Sequence, residues 1–66
     1  MELKLRNYGE KSRLIKTKSS DIKELLLELS INPETVIVRL NNEIVTLDTN
    51  IKSGDDIEII PVVSGG

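Results

Sequence analysis

The stretch from Asp21 to Pro33 can form only one short amphipathic helix, and that helix constrains everything around it. Ile22, Leu25, Leu26 and Leu29 recur at i, i+3, i+4 and i+7, so they share one apolar stripe. The Asp21 carboxylate is positioned to cap the amide of Glu24, while Glu24 can reach back to the Asp21 amide. Pro33 has no amide to donate and biases Asn32 out of helical space, which predicts a helix over Ile22 to Ser30. At about 1.5 Å per residue such a helix is marginal alone in water, so its stripe needs an apolar surface to cover it.

The remaining apolar residues supply that surface at the period of a strand. Glu2-Leu3-Lys4-Leu5-Arg6 alternates polar and apolar, with Leu3 and Leu5 on one face. Asn7-Tyr8-Gly9-Glu10 carries turn chemistry, and Ser12 to Thr17 reads as the returning strand, with Leu14 and Ile15 competing for the inward face. Thr35 to Leu40 is rich in β-branched residues and sends Val36, Val38 and Leu40 inward, Ile37 and Arg39 outward. Asn41-Asn42 is a tight turn into a brief return over Glu43 to Leu47, and Ser53-Gly54-Asp55-Asp56 is another turn. The last strand, Ile57 to Val63, directs Ile57 and Ile59 inward and Ile60 and Val62 to the opposite face. The order ββαβββ predicts an α+β fold in which one helix crosses one face of a sheet. Its expected core is Leu3, Leu5, Ile22, Leu25, Leu26, Leu29, Val38, Leu40, Ile57 and Ile59. With 66 residues the chain has room for a single core, so residues 1–66 are read as one domain.

Composition removes most chemistry. Without cysteine or histidine there is no disulfide framework, zinc knuckle, thiol nucleophile or imidazole base. Asp55 and Asp56 are the only adjacent carboxylates, but neighbours on a turn diverge. Asp48-Thr49-Asn50 fails as a calcium loop: Lys52 holds the fifth position, the glycine comes one residue late at Gly54, and Ile59 stands at the twelfth. No metal site, no resident cofactor and no catalytic set is therefore expected. A net charge of -2 gives no global positive field for nucleic acid, and the lone aromatic, Tyr8, reads as turn packing rather than a stacking platform. Lys11, Arg13, Lys16 and Lys18 read as a solvated strand face. The apolar runs fall far short of the ~20 residues that cross a bilayer, and the charged, alternating Met1 to Lys11 is unlike a signal peptide. The expectation is a cytoplasmic protein, monomeric when free, with no nucleic-acid or membrane partner.

Two features go beyond what a core requires. Ile37, Ile60 and Val62 share the outward parity of strands that can be neighbours, with Arg39 on the same side, and an apolar patch with a charged rim usually marks a partner interface. The sequence then ends Val62-Val63-Ser64-Gly65-Gly66 directly after an apolar strand. Gly65 and Gly66 have no side chains, so an extended tail of this kind can thread a narrow channel and present a terminal carboxylate to another protein's active site. At neutral pH that carboxylate is an anion and a poor electrophile. It needs activation, typically as an acyl-adenylate, before a nucleophile can attack it.

The helix start Asp21-Ile22-Lys23-Glu24-Leu25-Leu26, the turn Leu40-Asn41-Asn42-Glu43-Ile44-Val45, the Gly54-Asp55-Asp56-Ile57 turn and the Pro61-Val62-Val63-Ser64-Gly65-Gly66 ending together resemble the small ubiquitin-like sulfur carriers. These are the carrier of thiamin biosynthesis and the small subunit of molybdopterin synthase. The resemblance covers nearly the whole chain and implies a β-grasp fold, with the first and last strands side by side at the sheet centre. It also implies that Gly66, at the end of a Ser64-Gly65 tail, is the reactive residue. An adenylyltransferase of the ubiquitin-activating type would activate its carboxylate with ATP, a sulfur donor would convert it to a thiocarboxylate, and a synthase would accept the sulfur. ATP then binds the partner, and this chain is a co-substrate rather than an enzyme. Ile60, Val62 and Val63 would lie near the activating enzyme, extending the interface of Ile37 and Arg39. The length and the Asn41 turn look more like the thiamin carrier; Pro61 and Ser64-Gly65-Gly66 look more like the molybdopterin synthase subunit. A protein modifier joined to lysines through Gly66 and an interaction module with an inert tail are the alternatives.

Overall fold

The computed structural model describes residues 1–62, and its elements follow the expected order. They are β1 (Glu2–Asn7), β2 (Arg13–Lys16), α1 (Ile22–Glu28), a 3₁₀ turn (Pro33–Thr35), β3 (Val36–Leu40), β4 (Glu43–Val45) and β5 (Asp56–Pro61). The strands form one sheet in the order β2-β1-β5-β3-β4. β1 and β5 run parallel at its centre, Leu5 beside Ile57 and Arg6 beside Glu58, and the other pairs are antiparallel. A parallel pair cannot be closed by a tight turn, and the connection between β1 and β5 runs through β2, the helix and the β3–β4 hairpin. The result is a mixed sheet with one helix packed on one face, the β-grasp architecture.

The helix begins where expected and ends earlier. Asp21 accepts the Glu24 amide at 2.8 Å, and the next free amides, Ile22 and Lys23, donate to the carbonyls of Thr49 and Leu47. The segment after β4 thus completes the cap. The Glu24 side chain closes chiefly on Ser20, whose amide donates to it at 2.8 Å, with the Asp21 amide as the weaker partner. At the other end Ser30 adopts φ 61°, its amide donates to Leu27 O, and Ile31 donates to Leu26 O at 2.8 Å. This is a Schellman stop, with Ile31 folded back against the core. It halts the helix at Glu28, before Pro33 can act.

Core and turns refine the sequence reading. Leu29 and Leu40 are half-buried at the core margin, whereas Ile51, in the segment after β4, is buried within it. Ile15 takes the inward position on β2, leaving Leu14 exposed. The last strand closes at Pro61, and Val63 lies outside the described residues. Asn41 and Asn42 have φ 50° and 73°, the left-handed pair that a type I′ hairpin turn demands. Asn41 also staples the following turn: its Nδ2 donates to Asp55 Oδ1 at 3.1 Å, and its Oδ1 accepts from the Asp56 amide at 3.0 Å. Asp55 further accepts the Lys52 amide at 2.7 Å, which makes this carboxylate part of the turn.

Candidate functional site

With α1 on one face, no other helix among the described residues covers the opposite face of the sheet. The β3–β5 register sets Ile37 opposite Ile60 and Arg39 opposite Glu58. The outward parity of Ile37, Arg39, Ile60 and Val62 therefore becomes spatial adjacency across two neighbouring strands. Ile37 is 40% exposed and Val62 45%, while Ile60 is half-buried between its neighbours. The Val62 amide donates to Thr35 O at 2.8 Å, so the chain stays tied to the sheet up to the point where the tail begins. Val63, Ser64, Gly65 and Gly66 lie outside the described residues.

The register adds residues to this face that the sequence reading did not single out. Ile44 on β4 sits opposite Arg39 and is 67% exposed. Arg6 on β1 sits beside Glu58. Glu58 shared the parity of Ile60 and could have been found from alternation alone. Arg6 and Ile44 needed the strand pairing. Tyr8 is 66% exposed rather than packed into its turn, and its amide extends the β1–β5 ladder by donating to Ile59 O at 2.8 Å.

Electrostatically the centre of the face is a row of three charges. Glu58 Oε1 lies 3.5 Å from Arg6 Nη2 and 3.4 Å from Arg39 Nη1. The Glu58 side chain is only 11% exposed, because the two arginines lie over it. This gathers charge within an apolar surround of Ile37, Ile44 and Ile60.

The far end of the molecule has a different character. Shallow depressions there are lined by Met1, Lys16, Thr17, Lys18 and Glu28, and by Ser19, Glu24 and Leu27. Thr17 Oγ1 and Ser19 Oγ both donate to Glu28 Oε1. The Ser19 hydroxyl, followed by that of Thr17, holds the Glu28 carboxyl below its ordinary range. These bonds tie the end of the β2–α1 connection to the last turn of the helix. Among the described residues no group of three acidic side chains is arranged to hold a metal ion, and no helix is long and apolar enough to cross a membrane.

Comparison with known proteins bears on the tail as well as the sheet. The model of the ThiS family matches residues 4–66. The sulfur carrier protein TtuB of Thermus thermophilus is 38% identical over 45 residues, 68% of this chain and 69% of that one. An uncharacterized protein of Archaeoglobus fulgidus is 30% identical over 66 residues, 100% of this chain and 97% of its own length. Among solved structures, the complex of subunits 1 and 2 of the molybdopterin-converting factor from Helicobacter pylori contains a chain that superposes with a TM-score of 0.69 at 30% identity, covering 100% of both chains.

Proposed function

This chain belongs to the ThiS family, and from that premise we propose a sulfur carrier whose Gly66 carboxylate is adenylated by a partner enzyme and then converted to a thiocarboxylate. The observation that carries this reading is that the family match runs to residue 66 and so takes in the Ser64-Gly65-Gly66 tail. A carboxylate oxygen of Gly66 attacks the α-phosphorus of ATP and releases pyrophosphate. A sulfur nucleophile then attacks the activated carbonyl carbon, and AMP departs with the oxygen. The sulfur is handed to a synthase that builds a cofactor of the thiamin or molybdopterin kind. The adenylyltransferase binds the ATP, and this chain acts as a carrier without a catalytic set of its own. Ile37 and Arg39 of β3, Ile60 of the neighbouring β5, and Val62 and Val63 that follow it in sequence form the docking surface.

The test is intact mass spectrometry of the chain after incubation with its adenylyltransferase, ATP and a sulfur source. A thiocarboxylate replaces one terminal oxygen by sulfur and disappears when the sulfur is delivered. Deleting Gly66 shortens the reach by about 3.3 to 3.6 Å and should abolish activation, and a one-residue extension should do the same. Gly66→Ala keeps the carboxylate but adds a β-carbon where the backbone passes closely, so activation should fall severely with the domain still folded. Lysine-linked conjugates without thiocarboxylate would replace this reading by a protein modifier. Full activity of both the extended and the Gly66→Ala chains would leave only an interaction module.

A further inference from the structure

The charged row on the open face is short of acceptors. One carboxylate, Glu58, serves two guanidiniums, which leaves a local surplus of one positive charge in a chain whose net charge is -2. Each guanidinium presents five N–H donors in a fixed plane. The Nε atoms of Arg6 and Arg39 are both buried, and neither has an acceptor among the described residues. The contacts to Glu58, at 3.4 and 3.5 Å, are long beside the roughly 2.7 to 2.9 Å of a full charge-assisted hydrogen bond. Glu58 is therefore shared between the arginines without saturating either, and with their side chains 36% and 41% exposed their outer N–H groups are open to a further anion.

Its surroundings narrow the class of anion. Ile37 and Ile60 flank the row on one side and Ile44 stands beside Arg39. A free phosphate or nucleotide would leave these isoleucines uncovered, whereas a protein surface carrying an acidic side chain would cover them and exclude water from the ion pair. We infer that the open face docks its partner through an aspartate or glutamate that seats between Arg6 and Arg39 and supplies the acceptor that Glu58 cannot. The partner is the adenylyltransferase of the carrier reading, on which this inference rests, because β5 runs from Glu58 through Ile60 directly toward the tail.

The sign of one substitution separates this role from a structural one. Glu58→Gln frees both guanidiniums, so it should lower the Kd for the adenylyltransferase, measured by titration calorimetry with the full chain, by about threefold or more. A row that merely orders the sheet predicts weaker or unchanged binding for the same variant. Arg39→Glu should raise the Kd by about tenfold or more and flatten its dependence on salt. Arg39→Lys, which keeps the charge and loses the planar fork, should fall between. Thermal unfolding of each variant identifies any that does not fold; if Glu58→Gln is one, Arg39→Gln decides, with a severalfold weaker Kd expected. Unchanged or weaker binding by folded Glu58→Gln, an unchanged Kd for Arg39→Glu or, where it decides, for Arg39→Gln, or no binding by wild type would each overturn the inference. ATP–pyrophosphate exchange is measured in parallel. If wild type binds with the expected pattern of variants but supports no exchange, the carrier reading fails and the docking site stands.

Discussion

Leu26 is fully buried together with Leu3, Leu5, Ile22, Leu25 and Ile57, where the helix stripe meets the sheet. Leu26→Ala leaves a hole that these neighbours fill only in part, so it should cost about 2 to 5 kcal/mol, read as a lower denaturant midpoint at unchanged slope. Ser30→Gly should act in the opposite direction. A serine at φ 61° bears a steric penalty that glycine lacks, and the replacement should add about 0.5 to 1 kcal/mol. A lower melting temperature would contradict the left-handed stop as the cause of the helix end. Glu28 carries a pH signature. Its folded pKa is depressed below the ordinary 4.5, first by Ser19 and then by Thr17. Its contribution to stability is thus present above the unfolded value and is lost as pH falls through the folded one. The stability gap between wild type and Glu28→Gln should be flat near neutrality and close on acidification below pH 4.5; a gap that widens in acid would refute the hydroxyl cage.

At the scale of elements, what could be read from the sequence was whatever depends on near neighbours. Alternation in β1, β3 and β5 put Leu3, Leu5, Val38, Ile57 and Ile59 in the core and Ile37, Arg39 and Ile60 outside it, because residues two apart on a strand share a face whatever the partner strand. The helix start was equally local. Its end was not, since a serine in left-handed space has no sequence signal like that of glycine. Leu14 and Ile15 could not be ranked, because adjacent apolar residues fit either register until Ile15 is set beside Leu3. Ile51 was missed because an isolated isoleucine between polar turns has no period to betray it. The Asn41 staple was hidden for the same reason: its partners Asp55 and Asp56 lie on a turn more than a dozen residues away. Asn41→Ala removes both side-chain bonds and places an alanine in left-handed space, so it should destabilise by about 1 to 3 kcal/mol. Asn42→Gly, at φ 73°, should be neutral or stabilising in the same unfolding measurement.

For the molecule as a whole, the decisive pairing joins the two ends of the sequence. No local pattern in Glu2 to Asn7 announces that Asp56 to Pro61 will lie parallel beside it, so the strand order came from the family resemblance and not from periodicity. The same pairing sets how stability is distributed. β5 is flanked by β1 and β3, and β1 by β2 and β5, whereas β2 and β4 each have one neighbour and form the sheet edges. The edges also bury little: Leu14 and Ile44 are exposed, and Ile15 and Val45 only flank the core. Opening an edge strand therefore breaks one ladder and few apolar contacts, while opening β1 or β5 dismantles the core. Native-state hydrogen exchange should find the amides bonded between β1, β5 and β3 exchanging only by global unfolding, with the same dependence on denaturant as the equilibrium transition. Amides bonded across β3–β4 should exchange through a smaller opening with little denaturant dependence. The Val62 amide, held by Thr35 O, should be protected well above an unstructured reference, marking where the sheet hands over to the tail. Equal protection in β4 and β5 would mean that the sheet opens as one unit and that the central parallel pair has no special place in its stability.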